Sequence, residues 1–310
     1  LRKKIAHLKA QPHILAILGL VLATLCWGGN SVAGRMSVGD IPPVALSFWR
    51  WTLAFLILFS FTGKSLIRKR KEIFQSRYKL LALGFFSIAC FNTLLYIAAQ
   101  STQAVNLALI QIALPVITMI LAVPLLSIYP KKRQLIGMGI AIPGLLTIFS
   151  KGEWSMLASL DFGRGDMIMF VATCCWGFYT VLLKRFELPV SGAQLLTTLV
   201  GIGVMILFPF YLWEFSIRGG FSVNAKALYL ISYVVMFASL VAYISWNFGV
   251  SVLGANTAAM FNFLIPVFSA MFAIPILGET LHQYHLIAAG LIFTGLWIAN
   301  RKYASSESPG

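Results

Sequence analysis

Acidic side chains are scarce in this 310-residue chain. Nine Asp and Glu stand against 24 Lys and Arg, and charged residues of both signs make up only 11% of the sequence. A soluble globular domain carries about 25% charged residues, so an ordinary soluble fold is excluded. Catalytic spacings are absent too: no GxSxG, no HExxH, no phosphate-binding glycine loop and no Ser–His–Asp set occurs, which argues against an enzyme. Cysteine is limited to Cys26, Cys90, Cys174 and Cys175, all inside apolar runs and without metal-ligand spacing. They read as small packing residues of helices, and neither a metal nor a cofactor is expected. The acids Asp40, Glu72, Glu153, Asp161, Asp166, Glu187, Glu214, Glu279 and Glu307 fall in loops or at the ends of apolar runs. No carboxylate is therefore expected in the middle of a span, where proton-driven pumps usually keep one. That leaves facilitated diffusion, exchange, or coupling through Glu279 or Glu214.

What is abundant is apolar surface: 59% of residues are hydrophobic and the mean hydropathy is +0.86. A soluble core could not hide so much of it, whereas a bilayer requires it. A span needs about 20 predominantly apolar residues, and ten candidates are read at 13–34, 43–62, 79–100, 104–126, 134–150, 165–184, 192–214, 226–249, 254–277 and 284–300. The basic start (Arg2, Lys3, Lys4, Lys9) leads into a run that continues past Trp27 without an A-x-A site, so it reads as a retained first span and not a cleaved leader. With that end in the cytoplasm, 18 Lys and Arg fall on the cytoplasmic side and 5 on the other. The positive-inside rule thus places both termini in the cytoplasm. The basic residues cluster between apolar runs and not along a soluble face, which sets aside nucleic acid as a partner. The expected partners are the lipid bilayer and a small-molecule substrate; nothing in the sequence sets an oligomeric state.

The chain repeats itself. Residues 23–35, ATLCWGGNSVAGR, and 172–184, ATCCWGFYTVLLK, agree at an offset of 149. Ala104, Ala108, Pro115, Pro124, Gly139 and Gly144 agree with Ala255, Ala259, Pro266, Pro275, Gly290 and Gly295 at an offset of 151. The expected units are a first five-helix repeat over 1–150, a connection over 151–164, a second five-helix repeat over 165–303 and a polar tail over 304–310. Five spans per repeat force the second copy to enter from the opposite side. The expected fold is thus an all-α membrane protein of ten transmembrane helices in two inverted five-helix repeats, a construction used by secondary transporters.

Taken with WG in spans one and six, RWTLA at 50–54, the Ala-rich faces before Pro115 and Pro266, and GETLHQYHLIAAGLIFTGL at 278–296, the chain resembles the drug/metabolite transporter superfamily in its EamA-type branch. The resemblance covers about residues 14–300. The first half departs from it by carrying SIYPKKR at 127–133 where the second has GET. The resemblance implies export of amino acids or similar metabolites from a bacterial cell across its inner membrane.

Polar groups inside spans are costly, so their positions are informative. Asn92, Tyr96 and Gln100 lie four apart on span three, and Tyr243 and Asn247 match Asn92 and Tyr96 on span eight. Gln111 on span four corresponds to Asn262 on span nine. Span one offers Trp27 and Asn30, and span six offers Trp176 and Tyr179. Together these residues could line one substrate cavity, with amides as donors and acceptors and rings as apolar walls, or could glue helices together. Pro115 and Pro266 are gating bends or packing kinks. Arg50, the one basic residue well inside a span, could brace the halves, snorkel outward, or pair with a substrate carboxylate. Glu279, His282 and His285 are spaced three apart before span ten, as interfacial polar residues or as a metal or proton site.

The expected function is alternating-access export of amino acids, aromatic ones included, or of similar amphipathic solutes. A broad drug exporter is an alternative within the same architecture. A sugar-phosphate or nucleotide-sugar exchanger would want buried Lys or Arg on spans four and nine, which have none. A membrane enzyme or scaffold that moves no solute is the remaining alternative.

Overall fold

The computed structural model describes residues 2–127, 129–130, 132–153, 155, 163–253 and 261–300, and among them the chain is helical throughout, with no strand. In the first half α1 (Arg2–Met36) and α2 (Pro43–Arg68) are followed by a short α3 (Arg70–Gln75) and by α4 (Arg77–Ala98). A turn splits the next span into α5 (Ala104–Gln111) and α6 (Leu114–Leu126), and α7 (Lys132–Phe149) ends the half. The second half holds α8 (Arg164–Arg185), α9 (Gly192–Arg218), α10 (Ala225–Val250), α11 (Leu264–Leu277) and α12 (Gln283–Asn300).

Seven of these are long and apolar enough to cross a membrane: α1 from Pro12, α2, α4, α5 with α6, α8, α9 and α10. The helices α7 and α12 have 18 residues each and α11 has 14. Eighteen residues rise about 27 Å, just short of a hydrocarbon core of about 30 Å. Ala255 and Ala259 of the repeat, most of the 151–164 connection and the 304–310 tail lie outside the described residues. The second half's long helix runs to Arg218, four residues beyond its expected end, which places Glu214 inside a helix and not at its edge.

Helix ends follow local chemistry. Pro43 opens α2 at a position where no amide hydrogen is needed. Asn224 caps α10, its side chain accepting from the Ala227 amide at 2.8 Å. The helices α6 and α11 both stop on a left-handed residue, Ser127 (φ 55°) and Gly278 (φ 66°), 151 positions apart. Glycine takes that conformation freely, whereas Ser127 does so at about 1–2 kcal/mol. SIYPKKR and GET thus end the same helix in the same way, despite their different sequences.

The packing follows the repeat. The helix α2 packs on α9, and α7 on α12. The helix α1 packs on α10 and α11, while its counterpart α8 packs on α4 and α6. Glycines set these close approaches. A Cβ at Gly144 would meet Ile292 and the Ala288 carbonyl, and one at Gly295 would meet the Gly137 carbonyl and Ala141. These are the same contacts with the partners exchanged. Gly28 meets Ile265 and Phe268 of α11, as Gly177 meets Ile117 and Leu121 of α6. Large side chains such as Leu56, Phe61, Met205, Phe210, Trp213 and Leu286 point away from the bundle, as lipid contact requires.

The loops at 37–42, 99–103, 150–153, 219–224 and 278–282 gather at one end, called upper here; 69–76 and 186–191 lie at the lower end. Arg35 Nη1 donates to the Ala99 carbonyl at 2.8 Å, and Lys226 pairs with Asp40 at 2.5 Å, both at the upper end. At the lower end Lys69 Nζ donates to the Pro189 carbonyl at 2.9 Å and Arg185 donates to Leu125. Burial is not even along the bundle. The helix α5, near the upper end, is buried from Ala104 to Ile110, whereas α6 buries only Val116 and Ile117.

Candidate functional site

Each residue of the WGGN sequence at 27–30 has a separate task. Trp27 Nε1 donates to the Ala238 carbonyl of α10 at 3.2 Å. Gly28 lets the α11 backbone approach. Gly29 leaves room for the Tyr233 hydroxyl, which donates to the Cys26 carbonyl at 3.0 Å. Asn30 turns its Oδ1 inward, where it accepts from Tyr96 Oη at 2.8 Å and from Arg50 Nη1 at 3.1 Å.

Arg50 is the centre of this arrangement. It is only 1% exposed, so the snorkelling reading is excluded: the guanidinium points into the protein, not toward an interface. Nε donates to Ser239 Oγ at 2.7 Å, Nη1 also donates to Tyr96 Oη at 2.7 Å, and Nη2 donates to the Ala238 carbonyl at 3.3 Å. The group lies over the Trp51 ring, 4.6 Å from its centroid. Every one of these oxygen acceptors is neutral; among the described residues the sole ion pair is Lys226 with Asp40. Arg50 thus bonds to both halves, to Asn30 and Tyr96 of the first and to Ala238 and Ser239 of the second. At the 149-residue offset its counterpart is Leu199, a buried leucine of α9. The neighbouring Trp51 Nε1 is buried without an acceptor.

Two π-helical stretches supply the backbone geometry. Phe85–Phe91 in α4 and Val234–Val241 in α10 are widened turns whose starts lie 149 residues apart. Asn92 Nδ2 donates to the Ser87 carbonyl at 3.1 Å, and Ser239 Oγ donates to the Val234 carbonyl at 2.9 Å, each five residues back. Such turns release carbonyls from the α-helical ladder, and in α10 the Ala238 carbonyl is taken up by Trp27 and Arg50.

Aromatic rings enclose the node. Trp27 packs edge-on to Tyr243 at 5.8 Å between centroids and tilted on Trp246 at 5.1 Å, and Tyr243 also meets Trp51. In the other half Trp176 packs on Tyr179 at 4.9 Å and on Phe91 at 4.8 Å. Tyr179 and Tyr243 border one hydrophobic cluster around Trp51. The structure thus brings together Trp27, Asn30, Arg50, Tyr96 and Tyr243, and places Trp176 and Tyr179 beside them. Asn92, though buried, bonds its own helix. Gln111 donates to the Leu107 carbonyl of its own helix at 3.0 Å, and Asn262 is half-buried. Asn247 is exposed and does not join Tyr96's network. Pro115 stands in the first turn of α6, just after the break from α5, and Pro266 likewise near the start of α11. Both mark where their spans are interrupted.

Carboxylates hold the upper end. Glu214 of α9 accepts from the Val44 and Ala45 amides at 3.2 and 2.7 Å, capping α2. Glu279 accepts from the Ala104 and Val105 amides at 2.7 and 3.3 Å, capping α5. Asp166, in the first turn of α8, is buried and accepts from Thr102 Oγ1 and from Asn106 Nδ2 (3.2 Å), while Asn106 Oδ1 meets His285 Nε2 at 3.1 Å. Among the described residues no group of three His, Cys, Asp or Glu is placed to hold a metal, so Glu279, His282 and His285 form no ion cage there. Asn106 was the signal for this network: a polar residue inside an apolar span, one turn from Thr102.

Long apolar helices in two like halves, with a buried polar node between them, define an integral multi-pass membrane protein. Residues 14–150 and 163–301 each match the EamA-like transporter family, and the chain belongs to that family. It is a membrane transporter; family and relatives point to solute movement and not to catalysis. It is 27% identical over 291 residues to the "Uncharacterized transporter YyaM" of Bacillus subtilis (strain 168), covering 93% of this chain and 94% of that one. It is 21% identical over 307 residues to the "Uncharacterized inner membrane transporter YedA" of Escherichia coli (strain K12), covering 96% and 95%. A solved crystal structure superposes with a TM-score of 0.58 at 15% identity over 93% of this chain and 97% of its own, a likeness of fold.

Proposed function

We propose that the chain is an alternating-access carrier with ten spans in two inverted repeats, which exports amino acids, aromatic ones included, or similar amphipathic metabolites. Both termini lie in the cytoplasm of a bacterial cell, the membrane is the inner one, and the upper end faces outward. The exchanged contacts of Gly144 and Gly295 and the paired π-turns support the inverted repeat. The 18-to-5 distribution of basic residues supports the orientation.

The observation that carries the reading is Arg50: a buried cation between the halves that has only neutral acceptors, ringed by Trp27, Trp51, Tyr96 and Tyr243. Opening the bundle on the lower side would offer its charge and the unpaired Trp51 indole to a solute carboxylate, beside flat apolar walls for a side chain. A single cation suits a carboxylate better than a doubly charged phosphate.

The test is counterflow of labelled L-phenylalanine and L-threonine in proteoliposomes of the purified full chain. The wild type accumulates label, and Tyr96→Phe and Asn30→Ala each slow it by about tenfold, the worth of one buried charge-assisted hydrogen bond. Wild-type vesicles that accumulate no more of either label than empty ones would refute the substrate assignment. Unchanged rates in both variants would refute the node as the site.

A further inference from the structure

Asp166 and His285 are buried titratable side chains that the central node leaves unused, at 1% and 2% exposure. Asp166 stands at the start of α8 and His285 at the start of α12, and Asn106 of α5 lies between them. Three spans therefore meet in one hydrogen-bonded row at the upper end.

The row admits one arrangement of hydrogens. The His282 backbone N–H donates to His285 Nδ1 at 3.0 Å, and a backbone amide can only donate. Nδ1 is thus a lone pair and the neutral ring carries its hydrogen on Nε2. Nε2 then donates to Asn106 Oδ1, which turns Asn106 Nδ2 toward Asp166 Oδ1 and Thr102 Oγ1 (3.3 Å). Asp166 Oδ1 also receives the Thr102 hydroxyl, so it is the acceptor of two donors. Every group is paired with His285 neutral and Asp166 ionised. An added proton weakens the row at either end. On His285 Nδ1 it opposes the His282 amide, and on Asp166 Oδ2 it leaves Oδ1 an acceptor but removes the charge that strengthens the Thr102 and Asn106 bonds.

We infer that Asp166 and His285 form a proton-binding site whose occupancy from the outer compartment releases α5 from α8 and α12, and so unlatches the outer end of the carrier. The inference rests on the transport reading above for the meaning of "outer". The other titratable groups facing the pair are Lys151, Glu279, His282 and Tyr284. The Tyr284 ring lies 4.0 Å from the His285 ring. A pocket of about 370 Å³, lined by Arg35, Gln103, Glu279 and Thr280 among others, opens at the same end of the bundle. Gln103 is the residue after Thr102, and its Oε1 is buried without a partner. Glu279 is committed to the α5 amides, so the same pocket joins the latch to the helix it holds.

The test is hydrogen–deuterium exchange with mass spectrometry on the full chain in lipid nanodiscs, corrected for the intrinsic pH dependence of amide exchange. Between about pH 7.5 and about pH 3.5, a window wide enough for both a buried carboxyl and a buried imidazole to take up a proton, peptides over 102–107 and 283–288 of the wild type should gain about tenfold in exchange rate. Peptides over 234–241, at the central node, should not respond. Asp166→Asn should show the fast pattern already at the higher pH, and His285→Gln, which keeps a donor toward Asn106 and cannot titrate, should flatten the response. Wild-type protection at 102–107 that is the same at both pH values overturns the inference, as does a full pH response in a chain carrying both Asp166→Asn and His285→Gln. If Asp166→Asn does not fold, the wild-type series and His285→Gln decide alone. Absence of counterflow in the wild type would count against the transport reading while leaving this measurement intact, so the two failures are separable.

Discussion

Replacing Arg50 by methionine and by lysine separates two accounts of a buried charge. In Arg50→Met the guanidinium disappears, yet its acceptors are not orphaned. Asn30 Oδ1 keeps the Tyr96 hydroxyl at 2.8 Å, the Ala238 carbonyl keeps Trp27 Nε1 at 3.2 Å, and Ser239 Oγ still donates to Val234 at 2.9 Å. Lost are hydrogen bonds from a charged donor; removed with them is the desolvation cost of a cation that no carboxylate offsets. Replacing buried ions by apolar groups of similar size is often neutral or stabilising, so the net change should stay within about 2 kcal/mol. Arg50→Lys keeps the charge but replaces a planar fork of five donors by one compact ammonium on a shorter reach. It cannot meet Asn30, Tyr96, Ser239 and the Ala238 carbonyl at once, and an undersupplied buried charge costs about 3–5 kcal/mol. The conservative substitution should therefore be the damaging one. Thermal unfolding of purified protein in detergent, followed by tryptophan fluorescence, should give a lysine midpoint lower than the methionine midpoint by on the order of 5–10 °C. Both variants should lose counterflow. A lysine variant as stable as wild type, beside a methionine variant that unfolds, would refute this account of Arg50.

Further outcomes concern the glycines. Gly29→Ala should destabilise by about 1–3 kcal/mol, because the new methyl would collide with the Tyr233 hydroxyl; Tyr233→Phe in the same chain should restore part of the midpoint, while Gly139→Ala, which meets nothing within 4 Å, should lower it not at all. Gly144→Ala and Gly295→Ala should lower the midpoint by similar amounts, since each methyl enters the same α7–α12 contact from opposite sides; a large loss at one and none at the other would contradict the exchanged packing.

Periodicity and composition carried the fold far. Apart from α1, which begins at Arg2, and α2, which runs on to Arg68, the long helices start and stop within a few residues of the apolar runs, and the repeat recurs as a π-turn in each of α4 and α10 and, at the 151 offset, as the left-handed ends Ser127 and Gly278. Trp27, Asn30, Arg50, Tyr96 and Tyr243 stand out in the sequence as polar or aromatic groups in spans, and the structure places them near one another. Other features were not legible because they arise only when faces meet. Nothing in VVMFASLV indicates that its Ala238 carbonyl will leave the helical ladder. Arg50, two turns from a span end, reads equally as a snorkelling residue until α10 is seen to cover it. Glu214 reads as peripheral because the apolar run ends at Trp213 and Glu214, while the helix continues another turn. Asp166 and Asn106 lie 60 residues apart, and no local pattern joins them.

The pairing of Arg50 with Leu199 has an energetic consequence. Elsewhere the two halves answer one another in part: Gly144 answers Gly295, and a widened turn in α4 answers one in α10. At the level of Arg50 a cation is answered by a hydrocarbon. In the proposed alternating-access cycle, exchanging the roles of the halves would not return the molecule to an equivalent state: in one orientation the guanidinium would keep its cradle from α10, and in the other it would need water or a passenger. If that cycle operates, the molecule would have a resting posture, and loading with an anion would level the difference.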